Sequence, residues 1–464
     1  MSVAEPPAGP PPGAITALIA DSLEALRATP PAPDVRLFAI HMLLDCLGCS
    51  VAGGQTTSGR AALAFARYGA EPQARTIDGK RVSVERAAFA NTICCNALDH
   101  EPVGPEGHVG AVAIPSALAV AEWIDASGDE LLRAIVAGLD VSGRIGAAWR
   151  RPSAVIAQGT PPVRGAPHAV FAAAVPTAYL LGLDRETVRN ALGIAGYSAH
   201  VPTLRKAMSE REPPMTKYDH LGGMAQGGID AVRLAQLGFT GDVGVFEGPI
   251  GMWRFSGALG CDWTLLETFG GDFMIAPTFF KTFPCILYEN PVLLSLVAIV
   301  EREHLAPDAI ERIILRPSRA VDAQHGDGRG GPMAQWMSLR HNAAHAICGT
   351  RPFPDWHDGT QPPTIARLVD AMTFEPYAPA EGELKGNYWD GYSPCSVTVI
   401  TGDGRRFDER IVFLKRMTET ELVEKFVANV APVAGEKRAR TVAALVLEID
   451  RLPRAATLLD KLLA

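Results

Sequence analysis

Apolar residues recur at three- and four-residue spacing through about the first 275 residues, a period that helices satisfy and strands do not. Residues 14–28 (AITALIADSLEALRA) and 36–53 read as amphipathic helices. Residues 114–126 and 129–149 follow, parted by Ser127-Gly128, and are so rich in Ala, Val and Ile that both should be buried on most sides. Further helices are predicted over 168–183, over 185–197 behind Asp184, and over 220–237, where Leu237-Gly238 supplies a stop. Small residues are dense in all of them, so the helices can approach closely. A compact helical domain is expected.

The period changes near residue 278. Residues 309–316, 396–401 and 406–413 alternate apolar and polar as half-buried strands do, and Thr401-Gly402-Asp403-Gly404 makes a hairpin turn between the last two. Helices predicted at 289–303, 332–348 and 363–372 are interleaved with them, and helix returns from 418. The fold class is therefore mainly α, a large helical domain with a smaller α+β domain. Residues 1–13, with five prolines, read as a flexible arm, residues 14–277 as the helical domain and residues 278–413 as the α+β domain. The tail, 414–464, is expected to pack back on the helical domain.

Forty-three basic against 51 acidic side chains give a charge of −8, which argues against nucleic acid or an anionic membrane as the main partner. The longest apolar stretch is read at 168–183, interrupted by Pro176 and short of the roughly 20 residues a membrane helix needs. The arm carries no basic n-region and so is not expected to be a signal peptide, and eight scattered cysteines fit buried thiols in a reduced, cytoplasmic protein. Cys46 and Cys49 form a CxxC inside an apolar helical run, which favours core thiols over redox or zinc chemistry. The GxGxxG at 326–331 follows no buried strand and reads as a loop. P-loop, HExxH, GxSxG and EF-hand patterns are absent from the sequence.

What chemistry remains sits where Gly and Pro interrupt the helices. Asp99-His100 and His108 lie in LDHEPVGPEGHVGA, and His168 follows QGTPPVRGAP. Lys217 and His220 lie in PPMTKYDHLGG, and Lys281 opens KTFPCILYENP. Loops on a rigid helical scaffold are where chemistry is usually mounted. Two ammonium groups suit an anionic substrate, and histidine is the natural proton carrier near neutral pH. His108 and His168, each at the start of a very apolar helix, are expected to act as a pair on one bound acid. Lys281 is expected to matter for activity and little for thermal stability.

The segments LLDCLGCSVAGG (43–54), ANTICCNALDH…HVGAVAIPSALAVAEW (90–123), HAVFAAAVPTAYLLGL (168–183), MTKYDHLGGMAQGGIDAVRLAQLGFTG (215–241), VFEGP (245–249) and FFKTFPCILYENP (279–291) together resemble the MmgE/PrpD family. That family contains 2-methylcitrate dehydratase, cis-aconitate decarboxylase and iminodisuccinate epimerase. The resemblance implies a helical domain made from the N-terminal part and the tail, a lid at 278–413, and a homodimer with no metal and no organic cofactor. It places catalytic positions on Asp99, His108, His168, Lys217 and Lys281, with His220 and His341 as substrate contacts. The chain departs from the family pattern at Asp99-His100-Glu101-Pro102-Val103 (commonly DxDDT), at Glu289-Asn290-Pro291 (commonly THP), and at His341, where a tyrosine is often found.

The expected activity is that of a metal-independent lyase removing water or carbon dioxide from a small di- or tricarboxylate. Two lysines would neutralise the carboxylates, two histidines would move the proton, and Asp99 would fix a neighbouring imidazole or bind a substrate hydroxyl. An epimerase of an amino- or imino-dicarboxylate is the second reading, and a silent binding protein the third.

Overall fold

The computed structural model describes residues 9–68, 71–149, 165–201, 207, 210, 212–217, 220–258, 260–269, 273, 278–318, 329–350, 354–379 and 391–464. Helices dominate, as the periodicity requires. They are α1 (Ala14–Ala28), α2 (Pro33–Gly53), α3 (Thr57–Ala66), α4 (Val84–Asn96), α5 (Val109–Trp123), α6 (Gly128–Ala148), α7 (Phe171–Leu180), α8 (Arg185–Tyr197) and α9 (Leu221–Gln236). A two-stranded ribbon, β1 (Ala74–Arg75) with β2 (Arg81–Val82), precedes α4.

Local chemistry sets the helix ends. Ser127 and Glu130 form a reciprocal capping box on α6, and Asp184 accepts the Thr187 amide at the start of α8. Gly238, at φ 85°, stops α9 where the sequence placed the stop. At the other end of the chain order, the Glu247 carboxylate accepts the Gly13 and Ile15 amides and so caps α1 from 232 residues away.

Helix α5 is buried from Val109 through Glu122 and forms the middle of the first core. Its composition of Ala, Val, Gly and Ile explains this, since no face is polar enough for water. Close approach depends on glycine at two crossings. A Cβ on Gly53 would fall 1.8 Å from the Cys94 carbonyl oxygen of α4, and one on Gly228 would fall 2.6 Å from that of Val170. Helix α2 corrects the sequence reading of the longest apolar run. It has 21 residues and the length and hydropathy of a membrane span, with 78% of its apolar window buried inside the protein. Cys46 and Cys49 lie buried on it, and burial raises both thiols well above their ordinary range.

A second core begins after residue 278. Helix α10 (Asn290–Arg302), α11 (Leu339–Ile347) and α12 (Pro363–Asp370) pack with a four-stranded sheet of order β4-β3-β5-β6. The strands are β3 (Ile310–Pro317), β4 (Met372–Phe374), β5 (Tyr392–Thr401) and β6 (Arg406–Phe413). β3 pairs parallel with β4 and antiparallel with β5, with Ile313 opposite Val399 and Leu315 opposite Val397. Those side chains pack with Val292, Leu296 and Ile299 of α10. The stretch read as one helix at 332–348 is two, Pro332–Trp336 and α11, because the Ser338 hydroxyl caps a new start. Of the GxGxxG, residues 326–328 lie outside the described residues.

Helices α13 (Glu419–Ala434) and α14 (Glu436–Leu447) join the first core, whose buried members include Leu422, Phe426, Val430 and Val446. Lys425 of α13 is buried, pairs with Asp45 of α2 at 2.8 Å, and donates to the His100 carbonyl at 2.7 Å. Burial pushes the Asp45 carboxyl up and Lys425 opposes it. Removing one partner of a buried pair strands the other's charge. Lys425→Met is therefore expected to lower unfolding free energy by about 3–5 kcal/mol, and urea titration measures this directly. A loss under about 1 kcal/mol, the range of exposed pairs, would contradict it.

Candidate active site

The two cores meet where the loop after α4 touches the segment before α10. Val103 and Phe279 exchange backbone hydrogen bonds, N to O at 3.1 and 2.9 Å, and pack with Leu287 and Leu414. This clamp sets Asp99 and Glu101 against Lys281. Lys281 Nζ donates to the Asp99 carboxylate at 2.7 Å and to its carbonyl at 2.6 Å, and both side chains are buried. Asp99 holds the left-handed conformation, φ 52°, which places its carbonyl and carboxylate toward one ammonium.

Glu101 is wholly buried and accepts from His108 Nδ1 at 2.7 Å and from Asn96 Nδ2. A carboxylate only accepts, so His108 carries its Nδ1 proton toward Glu101. Nε2 then faces the cluster, 3.8 Å from Asp99. The sequence reading gave Asp99 one of two roles, fixing a neighbouring imidazole or binding a substrate hydroxyl. Glu101 makes the bond to the imidazole, because Asp99 is committed to Lys281.

Lys217, also left-handed at φ 55°, is buried; its Nζ donates to the Asn96 carbonyl and sits 4.2 Å from the centre of the Trp336 ring. Burial lowers the Lys217 ammonium, although Asp99 and Glu101 pull the other way. At Lys281 burial is outweighed by the same two carboxylates, and its value rises. Burial alone would raise Glu101, yet His108, Lys217 and Lys281 hold it well below the usual carboxylate range.

Asp99, His108, Lys217 and Lys281 are thus brought together. His168 is tied to the same loop less directly, its Nε2 donating to the Glu106 carbonyl at 2.9 Å. Burial lowers it to about 4, so the ring is neutral near pH 7 and its Nδ1 bears the lone pair. His220 precedes α9 and stacks on His200 with ring centres 5.4 Å apart. It lines a cavity together with Lys217. His341 lies 6.1 Å, ring centre to ring centre, from His357, whose imidazole is lowered chiefly by burial and in part by His341 and Lys217. His341 is wholly buried in the second core, bonded through Nε2 to the Trp356 carbonyl and packed on His345.

Several residues of the cluster were missed from sequence. Glu101 stood in the altered acidic motif and could have been named as the second acid. Trp336 and Asn96 carried no local signal. Glu289 is buried with one oxygen, Oε2, accepting from Asn342 at 2.7 Å, while His357 donates to the other end of that amide at 2.9 Å. Burial raises the Glu289 carboxyl to about 8, against its hydrogen bond from Asn342.

A folded value of about 8 against about 4.3 unfolded means that the folded state binds the extra proton between those limits. Stability from this group is full below the unfolded value and is lost as pH rises through 8. Glu289→Gln is therefore expected to melt progressively higher than the parent as pH rises from 5 to 8. A melting difference that stays constant with pH would contradict this.

Asp99, Glu101 and His108 offer three donor atoms within 4.8 Å of one another, a set able to ligate a cation. The cation paired with Asp99 is the Lys281 ammonium. Turnover is expected to survive dialysis against EDTA. Loss of activity restored by a divalent ion would reassign the three residues to a metal.

The MmgE/PrpD N-terminal domain matches residues 17–258, more than half the chain. Human cis-aconitate decarboxylase is 24% identical over 452 residues, covering 90% of this chain and 88% of the relative. The mouse protein of the same name is 24% identical over 441 residues, covering 89% and 85%. The cis-aconitate decarboxylase-like protein oryM of Aspergillus oryzae is 28% identical over 255 residues, covering 52% and 51%. The segments that carry Asp99, His108, His168, Lys217 and His220 all fall within residues 17–258, and the chain belongs to the MmgE/PrpD family.

Proposed function

We propose that the protein is a lyase that removes carbon dioxide, or water, from a small di- or tricarboxylate of the cis-aconitate or 2-methylcitrate type. One observation carries the reading: two buried ammonium groups, two carboxylates and an oriented imidazole converge where the two cores meet. Lys217 and Lys281 offset the cost of bringing substrate carboxylates into a dry site. In decarboxylation the bond to the leaving carboxylate breaks, and its electron pair moves to a carbon that takes a proton from His108. Glu101 holds that imidazole so that Nε2 carries the transferred proton. The relatives named cis-aconitate decarboxylase support this reading over dehydration.

The α+β part, which supplies Lys281 and Trp336, would serve as the lid, and the working unit would be a homodimer. A panel of di- and tricarboxylic acids followed by proton NMR tests the activity. A new product from at least one acid is the expected result. Binding by calorimetry with no conversion of any acid would leave a silent binding protein.

A further inference from the structure

Between α3, α4 and the start of α9 lies a cavity of about 310 Å³. Ala62, Phe65, Phe89 and Ile93 give it apolar walls. Its polar side contains Ser58, Thr216, His220, Asn96 and Lys217, and the last two belong to the charged cluster: Asn96 Nδ2 donates to Glu101, and Lys217 Nζ donates to the Asn96 carbonyl. The chamber and the carboxylate-binding cluster therefore share one wall. Against the side formed by Ala62, Phe65, Phe89 and Ile93, a carboxylate or hydroxyl finds no hydrogen-bond partner, whereas an alkyl group fits.

We infer that the preferred substrate is a di- or tricarboxylate bearing an apolar side chain of several carbons, which enters this cavity while a carboxylate engages Lys217. The inference rests on the carboxylate reading proposed above and narrows its substrate class. The volume lies at the small end of ligand pockets, ~300–1,000 Å³, so the chain is short. Transfer of each methylene into such a chamber strengthens binding by about four-fold, until the space is filled.

The test is calorimetric binding of succinate and of 2-alkylsuccinates from methyl to hexyl, to the wild-type protein and to two variants. Ala61→Trp, at an exposed position of α3 on the cavity wall, fills the space, and Phe65→Ala opens it. In the wild type, affinity is expected to rise at least ten-fold along the series. Both variants should keep the succinate affinity and lose most of that gain.

A wild-type series that binds succinate and stays flat overturns the inference and leaves the carboxylate reading standing. An alkyl gain retained in Ala61→Trp also overturns it. No binding by any member, succinate included, overturns both. If Ala61→Trp instead changes the oligomeric state in sedimentation, the cavity wall is a subunit contact and the inference falls.

Discussion

Replacing His108 with Gln is expected to lower kcat/KM by about 10²–10⁴-fold, the range for a positioned acid or base. His108 Nδ1 is bonded to Glu101 at 2.7 Å. That bond fixes the ring and leaves Nε2 as the only nitrogen able to exchange a proton with substrate. Glutamine fills similar space and cannot carry the proton. Glu101→Gln should act in the same direction, because the amide no longer holds the imidazole with a full charge. If the two residues work as one unit, the double variant will be little worse than His108→Gln alone. Losses that multiply fully would show that Glu101 acts elsewhere. A wild-type rate in His108→Gln would remove the imidazole from the chemistry.

Lys281→Met carries the second large effect, and here the geometry revises the expectation drawn from the loop's position. A lysine on a solvated loop would matter to activity alone. Lys281 is 1% exposed and bonded twice to Asp99. Its removal strands a buried carboxylate and should destabilise the fold by about 3–5 kcal/mol. On the proposed function it would also remove a charge-assisted contact to a substrate carboxylate, so kcat/KM should fall at least about 100-fold. Adding Asp99→Asn should restore part of the stability, since the stranded charge is gone, and none of the activity. Denaturant titration and steady-state kinetics on the same three proteins separate the two effects. Unchanged stability in Lys281→Met would mean that the pair is not desolvated in solution.

The helical half was legible because its signals are local. Asp184, Ser127 and Leu237-Gly238 mark helix ends through bonds made within four residues. The two histidines flagged at helix starts stand there: His108 directly precedes α5 and His168 lies in the turn leading to α7, while His220, read in a loop, directly precedes α9. Legibility failed where the deciding contact is distant. The short strand β4 exists because β3 lies beside it, and its own three residues carry no period. The choice between Asp99 and Glu101 for His108 depends on Lys281, 182 residues from Asp99. Lys425 supports the site loop from 325 residues away, and only the folded chain shows that. His341 was carried onto the site by resemblance, and its contacts with His345 and the Trp356 carbonyl are ones that no spacing in the sequence announces.

The most direct test of the central claim is the product formed in deuterium oxide. Wild-type protein is incubated with cis-aconitate, and the acid recovered is analysed by mass spectrometry and proton NMR. The account predicts a product lighter by one carbon dioxide, carrying one solvent deuterium at the carbon protonated by His108, and formed about 10²–10⁴-fold more slowly by His108→Gln. Recovery of an acid of unchanged composition that has gained deuterium would contradict it, since the same groups would then be exchanging a C–H proton without breaking a carbon–carbon bond.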